Sequence, residues 1–213
     1  MKESVKTIAL IVAHPDDETL WAGGTILSNP GRRYFIASLC RKTDPDRAPK
    51  FKKALDFLGA GGIMGDLDDD PEQIRLTEDD VQNLILKLLP SRQFDLIITH
   101  SIYGEYSRHR RHEEIGNAVI QLWHSNQITA AELWAFAYED GQGSYHPAAI
   151  EGAPLFYTLP HDIWQQKYHI ITNIYGFDQN SWEAQTTPKE EAFWQFYNAG
   201  NAFEWLINAN IAP

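Results

Sequence analysis

The chain has 213 residues, a formal net charge of −11 and one cysteine. That length buries a full core without cross-links, and the acidic balance disfavours a nucleic-acid footprint, which needs a basic stripe. Cys40 has no partner for an internal disulfide and points to a reducing compartment. No apolar run reaches the length of a membrane span, and Met1-Lys2-Glu3-Ser4 lacks the pattern of a secretion signal. The expectation is one soluble, cytoplasmic domain over residues 1–213, with neither nucleic acid nor membrane as partner.

Ile8 to Val12 reads as a strand buried on both faces, and it stops at Ala13-His14-Pro15-Asp16-Asp17-Glu18. A helix from Glu18 to Ser28 follows, ended by Asn29-Pro30-Gly31. Tyr34 to Cys40 is the second strand and runs into the polar loop Arg41-Lys42-Thr43-Asp44-Pro45. Phe51, Leu55, Phe57 and Leu58 mark a helix closed by Gly59-Ala60-Gly61-Gly62, before a short strand near Ile63-Met64 and an acidic turn over 66–71. Thr77 caps the next helix with Asp80 three residues on; Val81, Leu84, Ile85, Leu88 and Leu89 form its apolar face, and Pro90 ends it.

Phe94 to His100 is another buried strand, followed by a loop from Ser101 to Arg111, a helix from His112 to about His124, and a strand from Leu133 to Tyr138. Strand and helix alternate to this point. The fold class is therefore α/β: a Rossmann-like, mainly parallel sheet with helices on both faces. The C-terminal region is less regular, with a loop over 141–147 and a short helix from Asp162 to His169. Thr187-Pro188-Lys189-Glu190 predicts the start of a closing helix that runs to about Ile207.

In open α/β sheets, ligands sit beyond the carboxyl ends of the strands, which is where His14, Asp16 and Asp17 emerge. His109 and His112 follow a later strand end. Two imidazoles and one carboxylate, leaving a position for water, form a recurrent catalytic zinc set. His14, Asp17 and one histidine of the later pair supply it.

The two motifs, Ala13-His14-Pro15-Asp16-Asp17-Glu18 and Gly104-Glu105-Tyr106 followed by His109 and His112, resemble those of the PIG-L-like (LmbE-like) metal-dependent N-deacetylases. The resemblance covers the amino-terminal two thirds. It implies zinc on His14, Asp17 and His112, and Asp16 as general base for the attacking water. It gives His109 the task of steadying the oxyanion or protonating the leaving amine. The implied reaction removes acetyl from a small N-acetylated amino sugar, such as N-acetylglucosamine, or its conjugate. Fe2+, Mn2+ or Co2+ can occupy similar ligands.

The chain departs from those relatives at Arg110-Arg111, between the paired histidines, and in the loop Arg41 to Asp44. Arg41 and Arg110 are accordingly the candidate substrate-binding cations, and Arg110 or Arg111 is expected beside the metal.

Blander readings compete. Asp16 and Asp17 are also suited to capping the helix that follows them. His100 fits a structural hydrogen bond, and Cys40 a buried thiol. His124, His146, His161 and His169 fit structural or surface positions, and Asp68-Asp69-Asp70 a solvated turn, although the resembled family places a sugar-contacting aspartate in a comparable loop. Arg108, Arg110 and Arg111 are as close in sequence to Glu105, Glu113 and Glu114 as to any substrate. Most of the seven tryptophans suit packing rather than a sugar-stacking face. Two other functions use the same features. A non-haem Fe(II) oxygenase shares the ligand set, but its usual barrel is not the pattern here. A Rossmann-like metabolite-binding module shares the sheet, but here acidic residues replace the glycine-rich phosphate loop.

Overall fold

Along β1 (Thr7–Val12), Ile8, Leu10 and Val12 enter one core while Ala9 and Ile11 enter another, the alternation of a strand covered on both faces. The computed structural model describes residues 5–107 and 109–211, so Arg108 lies outside the described residues. β2 (Arg33–Cys40), β3 (Gly61–Leu67), β4 (Gln93–Thr99) and β5 (Thr129–Phe136) extend β1 into a parallel sheet of order β3-β2-β1-β4-β5.

Leu20 and Trp21 of α1 (Asp17–Leu27) and Phe51 and Leu55 of α2 (Arg47–Leu58) pack on the face of Leu10. Val81 and Ile85 of α3 (Glu78–Leu88) and Ile115 and Val119 of α4 (Arg110–His124) pack on the face of Ile11. The expected punctuation is present. Gly59 ends α2 with φ 64°, and the Thr77 hydroxyl oxygen caps α3 by accepting the Asp80 N–H at 3.1 Å.

The chain leaves β1 toward β2 and β3, then crosses back to β4 and β5. The order therefore reverses beside β1, where open α/β sheets place their ligand crevice.

After β5 come a two-stranded ribbon of β6 (Tyr138–Glu139) and β7 (Ala148–Ala149), then β8 (Leu155–Thr158), and α5 (His161–His169) running into a π-helical turn, Ile170–Ile174. The chain closes with α6 (Trp182–Thr186), β9 (Glu190–Phe196) and α7 (Ala199–Ile211). The closing helix expected from Thr187 is thus a correction. Thr187 ends α6, its hydroxyl donating to the Glu183 carbonyl, and Pro188 precedes a strand. β9 pairs antiparallel with β5 and β8, burying Phe193 on one side and Ala192 on the other. Sheet pairing outweighs the capping signal there. The helix starts later, where the Asn198 side chain accepts the Asn201 N–H at 2.9 Å. No helix among the described residues is long and apolar enough to cross a membrane.

Candidate metal centre and active site

The carboxyl ends of four parallel strands converge. His14 and Asp17 follow β1, Arg41 follows β2, Asp69 follows β3, and His112 sits in the first turn of α4 beyond β4. Gly116 sets the depth of α4. A Cβ there would lie 2.6 Å from the His100 carbonyl oxygen, so only glycine lets α4 rest on the end of β4 and carry His112 inward.

Nδ1 of His14 lies 3.2 Å from Oδ2 of Asp17, which lies 3.4 Å from Nε2 of His112, and the two nitrogens are 3.3 Å apart. Donors about 2.0–2.1 Å from a tetrahedral zinc stand about 3.3–3.4 Å from one another, so this triangle matches one face of such a site. The outward atoms support the same reading. Nε2 of His14 donates to Asp69 at 3.1 Å, Nδ1 of His112 donates to Glu105 at 2.5 Å, and Oδ1 of Asp17 accepts the Trp21 indole N–H at 3.1 Å. Each imidazole thereby turns a lone pair toward the other and toward the Asp17 carboxylate. With those tautomers three acceptor atoms face one another, and a proton or a metal cation between them relieves that arrangement.

His100 also lies beside Asp17 and His112, its ring stacked on His112 at 3.8 Å between centroids. Its Nε2 accepts the Ala13 backbone N–H at 2.9 Å and its Nδ1 faces Glu105 at 2.8 Å. It has no lone pair left for a metal, and the structural reading of His100 holds.

The titration of these groups follows from crowding. Burial pulls His14 down, but the Asp17 and Asp69 carboxylates outweigh it and lift its pKa to about 10. Burial pushes Asp17 up, and the imidazoles of His112, His100 and His14 outweigh it and hold the carboxyl well below its usual range. The metal-free cluster therefore keeps a proton where a cation fits, and metal must displace it. Apparent metal affinity is expected to rise with pH, by about tenfold per unit for one displaced proton, and to level off near pH 10, where metal-free His14 loses that proton anyway. Metal titrations at several pH values check the sign; affinity falling as pH rises would contradict it.

Asp16 and His109 border the cluster and line a cavity of about 410 Å³ with Arg41, Arg47, Asp69, Gln73, Tyr106 and Trp182. Asp16 occupies the N-cap position of α1, yet its side chain makes no capping bond; Oδ2 instead accepts from Arg47 Nη1 at 3.2 Å. Burial and the neighbouring Asp17 charge raise its pKa well above normal, against the pull of Arg47 and His14. His109 packs edge-on to His14 at 4.7 Å, and its Nδ1 is buried without a hydrogen-bond partner among the described residues. Burial, then the positive fields of His112 and His14, push its pKa down to about 2.

All of His14, Asp16, Asp17, His109 and His112 are thus brought together, and Arg41 stands at the rim, bonded to Asp69 through Nε at 3.0 Å. Arg110 is placed outside the cavity lining. Its guanidinium is exposed and donates to the Gln73 carbonyl. Arg111 is buried, with Nε on the Asp68 carbonyl, Nη2 on the Ile74 carbonyl at 2.7 Å and Nη1 on Glu114 at 2.6 Å. It therefore pins the loop that carries Asp69. Arg111→Ala is expected to cost about 3–5 kcal/mol in urea unfolding, because it strips the cation from Glu114 Oε2 and the donors from two carbonyls, whereas Arg110→Ala stays within about 0.5 kcal/mol. Equal effects would contradict the anchoring role.

Sequence reasoning overlooked Arg47, which α2 aims at Asp16, and read Asp69 as solvated. A carboxylate two strands further along the chain carries no local sign that it holds a histidine tautomer. Trp182 and Tyr106 form an aromatic wall, 4.8 Å between centroids, with Trp182 reaching the cavity from α6 in the region beyond Tyr138.

No protein-family model matches the chain. An uncharacterized protein of Acanthamoeba polyphaga mimivirus, L374, is 21% identical over 176 residues, covering 76% of this chain and 75% of its own. Among solved structures, the N,N'-diacetylchitobiose deacetylase of Pyrococcus horikoshii superposes with TM-score 0.68 at 15% identity, over 99% of this chain and 88% of its own. The chain shares the fold of that deacetylase. The 4-carboxy-2-hydroxymuconate hydratase of Pseudomonas putida KT2440 shares it, with TM-score 0.62 at 16% identity over 91% of this chain and 97% of its own. So does a deacetylase of teicoplanin biosynthesis, with TM-score 0.62 at 13% identity over 89% and 97% of the two chains. Solved structures with this fold thus include both deacetylases and a hydratase.

Proposed function

We propose that the chain is a metal-dependent hydrolase that removes the acetyl group from an N-acetylated amino sugar or its conjugate, with zinc as the ion. The observation that carries this reading is the convergence of three acceptor atoms, on His14, Asp17 and His112, beside a cavity lined by His14, Asp17, the Asp16 carboxylate and the His109 imidazole. A divalent ion held there supplies acidity to a coordinated water and polarises the acetamide carbonyl.

Asp16 takes the proton of the attacking water. Burial and the Asp17 charge raise its pKa well above the usual carboxylate value, which makes it a stronger base than an ordinary aspartate. The same carboxyl, once protonated, is the acid that returns the proton to the departing amine. His109 is kept neutral by its surroundings, so its role is to donate an N–H to the developing oxyanion rather than to act as the acid. Trp182 and Tyr106 offer a face for a sugar ring, and Arg41, Arg47 and Gln73 offer donors for its hydroxyls.

The test is metal analysis of the purified protein together with amine release from a panel of N-acetyl sugars after loading with Zn2+, Fe2+, Mn2+ or Co2+. A teicoplanin deacetylase of the same fold is known in a zinc-inhibited form, so zinc is titrated to stoichiometry and into excess. Turnover without oxygen separates hydrolysis from Fe(II) oxygenation. Stoichiometric metal with no hydrolysis of any amide would refute the assignment.

A further inference from the structure

We infer that Glu18 is a positioning residue that clamps the backbone of Asp16 and so aims the base into the cavity. Asp16 has φ 127° and ψ −28°, a conformation that side-chain-bearing residues rarely adopt and that persists only when its surroundings impose it. Its carbonyl oxygen is fixed from one side, accepting the N–H groups of Thr19 at 2.9 Å and Leu20 at 2.8 Å as α1 begins. Its N–H is fixed from the other, donating to Glu18 Oε2 at 3.0 Å. Held at both ends, the residue turns its side chain away from the helix amides and toward Arg47 and the cavity, which is why it caps nothing.

Glu18 itself is fully buried and takes only neutral donors. Besides the Asp16 amide, Oε1 accepts the Thr19 hydroxyl at 2.6 Å and the Tyr175 hydroxyl at 2.7 Å. Burying a carboxylate without a cation is costly, and these hydrogen bonds are what offset it. Tyr175 directly follows the π-helical turn Ile170–Ile174, an irregularity that recurs at functional sites, so the region beyond Tyr138 reaches under the base through this hydroxyl. The clamp requires an acceptor at the reach of a glutamate, not a charge. In Glu18→Gln the amide oxygen can face the Asp16 N–H while the two hydroxyls rotate to accept from its NH2. In Glu18→Asp the charge stays but the acceptor falls short by one methylene.

The inference rests on the reading of Asp16 as the base, and its test separates the two. Glu18→Asp is expected to lose about 10²-fold in kcat, the scale of an ångström of misplacement, with KM and metal stoichiometry unchanged. Glu18→Gln stays within about fivefold of the parent. Equal loss in both variants, or loss of metal rather than kcat in Glu18→Asp, overturns the clamp. Exchange of the Asp16 amide, followed by NMR on 15N-labelled protein, gives a readout that needs no substrate. Protection is expected in the parent and in Glu18→Gln and is lost in Glu18→Asp. If no amide is hydrolysed by any form, the functional reading fails, and this exchange pattern still upholds or overturns the clamp.

Discussion

Asp16→Asn is expected to keep its metal and lose about 10² to 10⁴ in turnover, the contribution of a positioned general base. Asparagine has the same shape, retains an oxygen that can accept from Arg47 Nη1, and leaves the backbone N–H free to meet Glu18, so the site should assemble unchanged. What it lacks is the ability to take a proton. KM should move little, because the carboxylate is lost from the proton-transfer step rather than from the aromatic wall. Metal analysis and kcat on the same preparation decide the matter. If Asp16→Asn loses metal as completely as a ligand variant, Asp16 belongs to the ligand set and the base lies elsewhere. If it retains both metal and turnover, no general-base role remains for it.

The part of this site that could be read from the sequence is the part written in contiguous residues. The run Ile8 to Val12 had to be a strand covered on both faces, and the abrupt change at His14 placed ionisable groups at the end of a parallel strand. His109 and His112, three apart at a helix start, could be paired with them because one turn of α4 puts both on one side. Asp69 and Arg47 were not legible, because what selects them is the neighbour relation of strand ends across the sheet. Arg110 and Arg111 misled for a related reason. Adjacent residues on a helix point about 100° apart, so closeness to His112 in sequence says little about which way a guanidinium faces. Arg111 is buried against the loop over 68–74, whereas Arg110 stays exposed and reaches that loop only at the Gln73 carbonyl. The misread stretch after Thr187 shows the limit of capping signals. Ser or Thr before Pro opens many helices, but only the partner strand β5 reveals that the aromatic run beyond it is paired.

Asp17→Ala and His112→Ala are expected to abolish stoichiometric metal, and with it all turnover. With two ligands in place of three, affinity falls steeply, and neither His100 nor Asp69 is free to substitute. His100 has both nitrogens engaged, by the Ala13 N–H and by Glu105, and Asp69 is occupied by His14 and Arg41. The two variants should fail differently in the metal-free state. Removing Asp17 deletes a carboxylate that lifts the His14 pKa, so its proton leaves at lower pH than in the parent. Removing His112 deletes a donor to Glu105 and leaves that carboxylate with His100 and the Ser101 N–H. A third variant calibrates the pair. Glu105→Gln keeps all three ligands and weakens only the orientation of His112, so metal should bind about 10- to 100-fold more loosely rather than be lost. Dialysis against a graded chelator, followed by metal analysis, orders the variants. Full retention of metal by either ligand variant would remove that residue from the site, and loss in Glu105→Gln as complete as in His112→Ala would make Glu105 more than a support.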